Sequence, residues 1–269
     1  MAMVQNLALE CMRAGGTALG VVLRFERGAH IARAMRSSGF DWLFIDLEHG
    51  SMPLDTVAGI SVASLDAGIT PLVRVPPMDI ATAIRALDTG ALGVLMPHVE
   101  TAGEAEVIAA AFRYPPVGHR SVSSTLPQFH FRPPPMAQAC RELDAATLVG
   151  VMLETPGAVQ NAEAIAAVAG IDLLFIGAAD LTAEAGLHGQ PDHPQILDMF
   201  RAVADAAHRH GKLVGIGGIS DDATLATCCA MGMQMILLGT DLGFMMSAAT
   251  ARTRALRTGI AAAAVSNPK

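Results

Sequence analysis

Four apolar runs in this chain end in charged side chains. Trp42 to Ile45 runs into Asp46, Glu48 and His49; PLVR ends on Arg74; GVML is followed by Glu154; and LLFIG is followed, two alanines on, by Asp180. A carboxylate at the end of an apolar strand is costly to bury unless a cation or donor meets it. Glu154 and Asp180 together suit a hard, octahedral divalent ion, Mg²⁺ or Mn²⁺ with Co²⁺ as a further option, water filling its other positions. Such an ion would chelate a 2-oxo acid and stabilise the charge that develops on its keto oxygen as an enolate forms. Arg74 would add positive charge beside that oxygen. His49, with a reference pKa near neutrality, would move a proton directly or through water.

Each residue has a plainer explanation when taken alone. Arg74 pairs with a rim carboxylate, His49 is a capping or hydrogen-bonded histidine, and Asp180 caps the turn after it by accepting from Thr182 or Ala183. Their convergence on the ends of strands gives the set its weight. Lysine is informative by scarcity. The only two are Lys212, at the start of a strand, and Lys269 at the terminus, so a Schiff-base mechanism has no good candidate. Among the other histidines, His98 sits near a strand end, His119 and His130 in a long loop, and His188 and His193 in a loop where they would meet substrate. The closely spaced His208 and His210 end a helix and suit its negative pole, so a zinc site of clustered histidines is not expected. Cys11, Cys140, Cys228 and Cys229 form no CxxC pair and read as small apolar residues of a reducing compartment.

The elements needed to position these groups are legible as strand-then-helix units. Strands are expected at residues 18–25, 42–45, 70–76, 93–99, 148–155, 171–177, 212–218 and 233–239. Helices follow at 29–37, from Pro53 to Ala67 with Gly68 as stop, from an Asp79 cap to Asp88, from a Thr101 cap to Phe112, at 136–144, from Pro156 to Val168, from Pro194 to His210, from Asp221 or Asp222 to Met231, and from Leu242 to about Thr258. Short links between such units imply parallel strands with right-handed crossovers. Eight of them close as an α/β (β/α)8 TIM barrel, a single domain over residues 1–269. The alternative is a doubly wound open sheet, but no GxGxxG follows the first strand. Residues 114–135 are rich in proline and lack a period. They are expected to form a lid or a subunit-contact loop, with Phe129 and Phe131 able to pack. The tail from about residue 260 is expected to fray.

Composition sets the outer bounds. The chain has 269 residues, 52% hydrophobic and 16% charged, which is ample for one large core. A net charge of −7 and scattered basic residues argue against nucleic acid as a partner. No apolar stretch reaches membrane-spanning length and the N-terminus lacks a signal pattern, so the reading is a cytoplasmic protein with no membrane partner.

The segments FDWLFIDLEHG, PLVRVP, LDTGALGVLMPHV, PPVGHR, LETPGAVQN, IDLLFIGAADLT and GTDLGF resemble the HpcH/HpaI aldolase family. The matches run in order from about residue 18 to 246. The resemblance implies a class II, metal-dependent pyruvate aldolase that cleaves 4-hydroxy-2-oxo acids reversibly to pyruvate and an aldehyde. It implies Glu154 and Asp180 as metal ligands, His49 as the acid/base residue and Arg74 as the residue that binds and polarises the keto acid. It implies that the backbone at Gly177, Ala178, Ala179 and Asp180 holds the pyruvate carboxylate. Asp88, in LDTG, matches a position lent to a neighbouring subunit's site. Such enzymes are commonly homohexamers, trimers of dimers with exchanged C-terminal helices.

Several positions depart from that pattern. Met152 stands in place of Gln, Ala178 in place of Pro, GHRSVS in place of a glycine-rich GxRGxG, and EHGSMP lacks the Asn of the dicarboxylate aldolases. With the ligands, Arg and His retained, the departures point to a changed substrate rather than lost chemistry. The alternatives are another 2-oxo acid enolate reaction, such as decarboxylation or acyl-CoA lysis, and a catalytically silent barrel that binds a small oxo acid.

Overall fold

The chain folds as a closed barrel of eight parallel strands in sequential order, wrapped by helices. The structure, a computed structural model, describes residues 4–123 and 125–266, with side chains to residue 263. The strands are β1 (Ala18–Leu23), β2 (Trp42–Asp46), β3 (Thr70–Arg74), β4 (Gly93–Met96), β5 (Leu148–Leu153), β6 (Leu173–Gly177), β7 (Leu213–Gly217) and β8 (Met235–Thr240). The helices are α1 (Leu7–Arg13), α2 (Ile31–Ser37), α3 (Leu54–Ala67), α4 (Ile80–Asp88), α5 (Ala102–Phe112), α6 (Met136–Ala146), α7 (Pro156–Gln160), α8 (Ala162–Ala166), α9 (Ala178–Glu184), α10 (Pro194–Arg209), α11 (Asp222–Ala230) and α12 (Asp241–Ser266).

Helix starts are fixed by local chemistry. Asp79, Thr101, Thr155 and Asp221 each accept a backbone N–H from their helix's first turn, and Thr101 forms a reciprocal capping box with Glu104. The αL glycine Gly68 ends α3 as expected.

Two apolar layers hold the barrel. Alternate strand residues such as Leu43, Ile45, Val73, Val151 and Ile176 pack outward against the helices. The others, among them Trp42, Phe44, Leu72, Met152, Phe175 and Leu237, fill the interior. Gly20 in β1 makes room for this filling: a Cβ there would lie 2.1 Å from the Trp42 ring. The barrel is thus a packed core rather than a pore.

The helix expected from Pro156 to Val168 is split at Asn161 into α7 and α8, and three other elements differ from the sequence reading. Helix α1 has no counterpart in that reading, because seven residues, about two turns, carry too little period to register. It packs Ala8, Leu9 and Met12 into the interior cluster, and Asn6 ties it down by donating to the carbonyls of Leu92 and Ala146. The segment after β6 is a helix, α9, rather than a turn. Helix α12 continues to Ser266 instead of stopping near Thr258; the tail beyond it lies outside the described residues.

The long loop is not a lid over its own barrel. Tyr114, Leu126 and Phe129 pack with Val4, Leu92, Leu143 and Ala146, which cluster where strands begin, opposite the strand ends. Phe131 is exposed.

Candidate active site

Strand ends deliver charge to one cavity of about 420 Å³, lined among others by Arg24, Phe44, His49, Arg74, Met152 and Glu154. Gly177, Ala179 and Asp180 also line it, as do residues at the ends of β7 and β8. His49, Arg74, Glu154 and Asp180, expected from four different strands, are brought together. Ala178 is buried and does not line the cavity with the others of its motif.

Asp46 is the electrostatic centre of one wall. It is fully buried, yet its Oδ1 accepts from Arg74 Nε at 3.0 Å and from the backbone N–H groups of Glu48 and His49. Its Oδ2 accepts from Arg74 Nη2 and Arg24 Nε, both at 2.6 Å. Burial alone would push this carboxyl up, but the bonds and charge of Arg74 and the bond from Arg24 hold it below the usual carboxylate range. Arg74 is correspondingly held at several points. Its third nitrogen, Nη1, lies 3.0 Å from Glu48 Oε2, and its guanidinium sits over the Phe44 ring at 5.0 Å. The Glu48 contact is an ion pair without hydrogen-bond alignment, so that buried oxygen is left unsatisfied. Arg74 therefore does pair with a carboxylate, as its plainer reading expects, and it faces the cavity as well.

The opposite wall is acidic. Glu154 is 1% exposed, and its Oε2 accepts from the backbone N–H of His98 at 2.8 Å. His98 adopts a left-handed φ of 52°, which aims that N–H inward. Its ring spans two carboxylates, Nδ1 lying 3.3 Å from Glu154 Oε2 and Nε2 3.2 Å from Glu48 Oε1. Burial pushes the Glu154 carboxyl up. The His98 N–H and ring oppose this, and the charges of Asp180 and Glu48 add to it. Asp180 is the third residue of α9 and makes no bond to Thr182 or Ala183, so it caps nothing and its carboxylate is free to face the cavity. A buried carboxylate raised by burial and by the charges of Asp180 and Glu48, and opposed by His98 and the charge of Arg74, fits a hard cation held through oxygen. Among the described residues no group of three or more His, Cys, Asp or Glu side chains is placed to hold a metal ion.

His49 projects from the loop after β2, about half exposed, with Nε2 3.8 Å from Glu48 Oε2. Asp88 lies elsewhere: it ends α4, where the chain turns back to begin β4, and accepts from Arg120 Nη2 at 2.8 Å. His188 and His193 do not line the cavity, and His193 instead accepts from Gln195 at the start of α10. His210 bonds Glu163, in keeping with a structural role. The sequence reading missed Arg24 and underweighted His98. Arg24 carries the same signal as the others, a charge directly after an apolar run, but it was read as part of the strand.

Comparison with known proteins places this geometry. The family model described as HpcH/HpaI aldolase/citrate lyase matches residues 26–248. A 4-hydroxy-4-methyl-2-oxoglutarate aldolase of Hapsidospora irregularis is 36% identical over 77% of this chain and 77% of its own length. A hydroxypyruvate/pyruvate aldolase of Chromohalobacter salexigens is 35% identical over 87% of this chain and 91% of its own. The crystal structure of an HpcH/HpaI aldolase from Desulfitobacterium hafniense superposes with a TM-score of 0.89 at 26% identity, covering 94% of this chain and 97% of that one. A shared barrel, a family match from the loop after β1 into α12, and relatives above 30% identity along most of the chain give one conclusion: this protein belongs to the HpcH/HpaI aldolase/citrate lyase family.

Proposed function

We propose that this protein is an aldolase that cleaves a 4-hydroxy-2-oxo acid reversibly to pyruvate and an aldehyde or ketone. The observation that carries the reading is that Glu154, Asp180, Arg74 and His49 line one cavity at the strand ends. Glu154 and Asp180 would hold a divalent ion, magnesium or manganese with cobalt as a third option, which supplies Lewis acidity toward the keto oxygen when bound. Arg74, locked by Asp46 and Glu48, presents fixed positive charge to the same oxygen. The backbone at residues 177–180 offers first-turn N–H groups of α9, which have no helical acceptor, to the substrate carboxylate. His49 takes the proton of the C4 hydroxyl, directly or through water. The C3–C4 bond then breaks, its electron pair passing into the enolate of pyruvate as the carbonyl partner departs, and C3 afterwards gains a proton.

Asp88 enters this proposal only across a subunit boundary, since in its own chain it lies at the far end of the barrel from the cavity. The same boundary gives α12 a role. Leu242, Phe244, Met245, Met246, Leu256 and Ile260 are exposed along it, and packing on a neighbouring copy, as in a trimer of dimers with exchanged helices, would cover them. Light scattering after chromatography reads that assembly. No helix among the described residues is long and apolar enough to cross a membrane, and we place the enzyme in the cytoplasm. The relatives are named for different acids, so the carbonyl partner is an independent question.

Pyruvate proton exchange in deuterated water, with and without Mg²⁺ or Mn²⁺, tests the enolate half. Pyruvate release from a panel of 4-hydroxy-2-oxo acids tests cleavage. Glu154→Gln and Asp180→Asn should abolish both, and activity that survives thorough chelation overturns the metal assignment.

A further inference from the structure

Arg24 takes no part in the steps above, yet it is the first residue after β1 and it lines the cavity. It is tethered twice. Its Nε donates to Asp46, and its backbone N–H, with those of Phe25 and Glu26, donates to the Asp241 carboxylate at 3.3, 2.9 and 2.7 Å. Among the described residues nothing accepts from its Nη1 or Nη2, and its side chain is 39% exposed. Arg74, the cavity's other guanidinium, is in the opposite state, with Nε, Nη1 and Nη2 all facing Asp46 or Glu48 and the side chain 6% exposed. Asp46 does not need Arg24 to be satisfied, since Arg74 and two backbone N–H groups already meet it. The cavity therefore holds one guanidinium with donors committed and one with its terminal pair to spare.

Position gives the spare pair a use. In an eight-stranded closed barrel, β1 stands across the mouth from β5. Glu154 follows β5 and Arg24 follows β1, so they occupy opposite walls above a floor of Val22, Phe44, Met152, Phe175 and Leu237. A keto acid held at the β5 and β6 side would have only the rest of the cavity, toward β1 and β2, open to its C4 substituents. The apolar floor offers no polar partner to what C4 carries, whereas the terminal nitrogens of Arg24 match a planar carboxylate.

We propose that Arg24 is a specificity-determining residue that binds a carboxylate on the carbonyl partner. The preferred partner is then itself a 2-oxo acid, and the preferred cleavage substrate is a 4-hydroxy-2-oxo acid with a carboxylate on C4. This inference rests on the aldolase reading and adds the substrate class to it.

The test compares 4-hydroxy-2-oxoglutarate with 4-hydroxy-2-oxovalerate, which differ at C4 by a carboxylate against a methyl group. The wild-type enzyme is expected to prefer the first in kcat/KM by roughly 10- to 100-fold, the range of a charged hydrogen-bonded contact. Arg24→Gln keeps a donor where Nε meets Asp46 but removes the charge and the terminal pair; Arg24→Met removes all three. Both should collapse the preference to within a few-fold, chiefly by loss of the glutarate. Parallel losses on the two substrates would mean that Arg24 only supports Asp46, and an unchanged ratio would mean that it touches neither; each overturns the proposal. A wild-type enzyme that cleaves both equally also overturns it while leaving the aldolase reading intact. Failure of both cleavages together with absent pyruvate exchange removes the aldolase reading itself, and the inference with it. If Arg24→Met does not fold, Arg24→Gln gives the same ratio with the Asp46 contact kept.

Discussion

Gly177 is the position where one added carbon should cost the most chemistry. Its φ of −86° and ψ of 85° are open to alanine, so Gly177→Ala introduces no backbone strain. The obstacle is Glu154. A Cβ at residue 177 would lie 2.5 Å from Glu154 Oε1 and 2.7 Å from its Cγ, about 0.9 Å inside the 3.4 Å where ordinary contact with Oε1 begins. Glu154 cannot swing to solvent, because it is 1% exposed and its Oε2 is held by His98 at 2.8 Å. Either the carboxylate shifts by most of an ångström or β5 and β6 move apart. Overpacking of this kind costs about 1–3 kcal/mol, and at about 2–4 °C per kcal/mol for a large domain Tm falls by roughly 2–12 °C. A ligand displaced by about 1 Å costs a further factor of about 10² in turnover, or about 2.7 kcal/mol of barrier.

Gly217→Ala is the matched control. Its Cβ would meet Leu237 Cδ2 at 2.9 Å and Phe175 at 3.2 Å, apolar groups with no ligand role. The two variants should lose comparable stability by thermal melts. Only Gly177→Ala should weaken Mn²⁺ binding, read by calorimetric titration, and only it should show the larger fall in pyruvate release. If Gly177→Ala binds Mn²⁺ as the wild type does, Glu154 is not the ion's ligand and the argument from its crowding is wrong.

Three further outcomes follow from the same charges. Arg74→Lys should lose most turnover, about 10²-fold or more, because an ammonium cannot reach Asp46 through two bonds and Glu48 at once; steady-state kinetics with unchanged circular dichroism reads this. Asp46→Asn should destabilise the fold by about 3–5 kcal/mol at neutral pH in denaturant titrations, since a fully buried partner of two guanidinium groups is neutralised. The folded-state carboxyl of Asp46 lies below its ordinary value of 3.8, so its contribution is complete above that value and is lost as pH falls through the lower folded value. The gap between wild type and Asp46→Asn should therefore narrow only in acid, and a gap that narrows at pH 6 would contradict it. Borohydride added with pyruvate should leave the mass of the protein unchanged. Lys212 donates to the carbonyls of Val168 and Ile171 at the start of β7, outside the cavity, and burial lowers its pKa there without giving it access to a keto acid.

The strands were legible because most of their residues are buried and read as short apolar runs, with a turn or cap close by. The charges that end those runs were legible for the same reason: Asp46, Arg74 and Glu154 stand out against four or five apolar neighbours. What escaped has a shared cause. Arg24 is followed by Phe25, which disguises the end of β1, although Phe25 is 59% exposed and belongs to the loop. The seven residues of α9 are AADLTAE, too short to establish a period. The loop at 114–135 has no period to read. Its place depends on Tyr114, Leu126 and Phe129 meeting Val4 and Leu92, contacts between segments distant in sequence. His98 could be placed at a strand end, but its two carboxylate neighbours come from β2 and β5, and no local pattern joins them.

The arrangement across the barrel explains how one small cavity can hold opposite charges without their cancelling. Asp46 draws two guanidinium groups together on the β1–β3 wall, where Glu48 adds a second negative charge, so that wall is balanced before any ligand arrives. The β5–β6 wall has no such balance: Glu154 and Asp180 repel, and the nearest cationic candidate is a histidine shared with Glu48. On the proposed reading, a divalent ion would be drawn to that side, and the fixed donors of the other side would remain for the substrate. Because each wall is built on strands that hydrogen-bond to their neighbours in register, the separation is kept by the barrel rather than by side-chain entropy. A loop grafted over either wall can change what reacts without disturbing this polarity, whereas losing Asp46 would release both guanidinium groups toward the acidic wall and erase it.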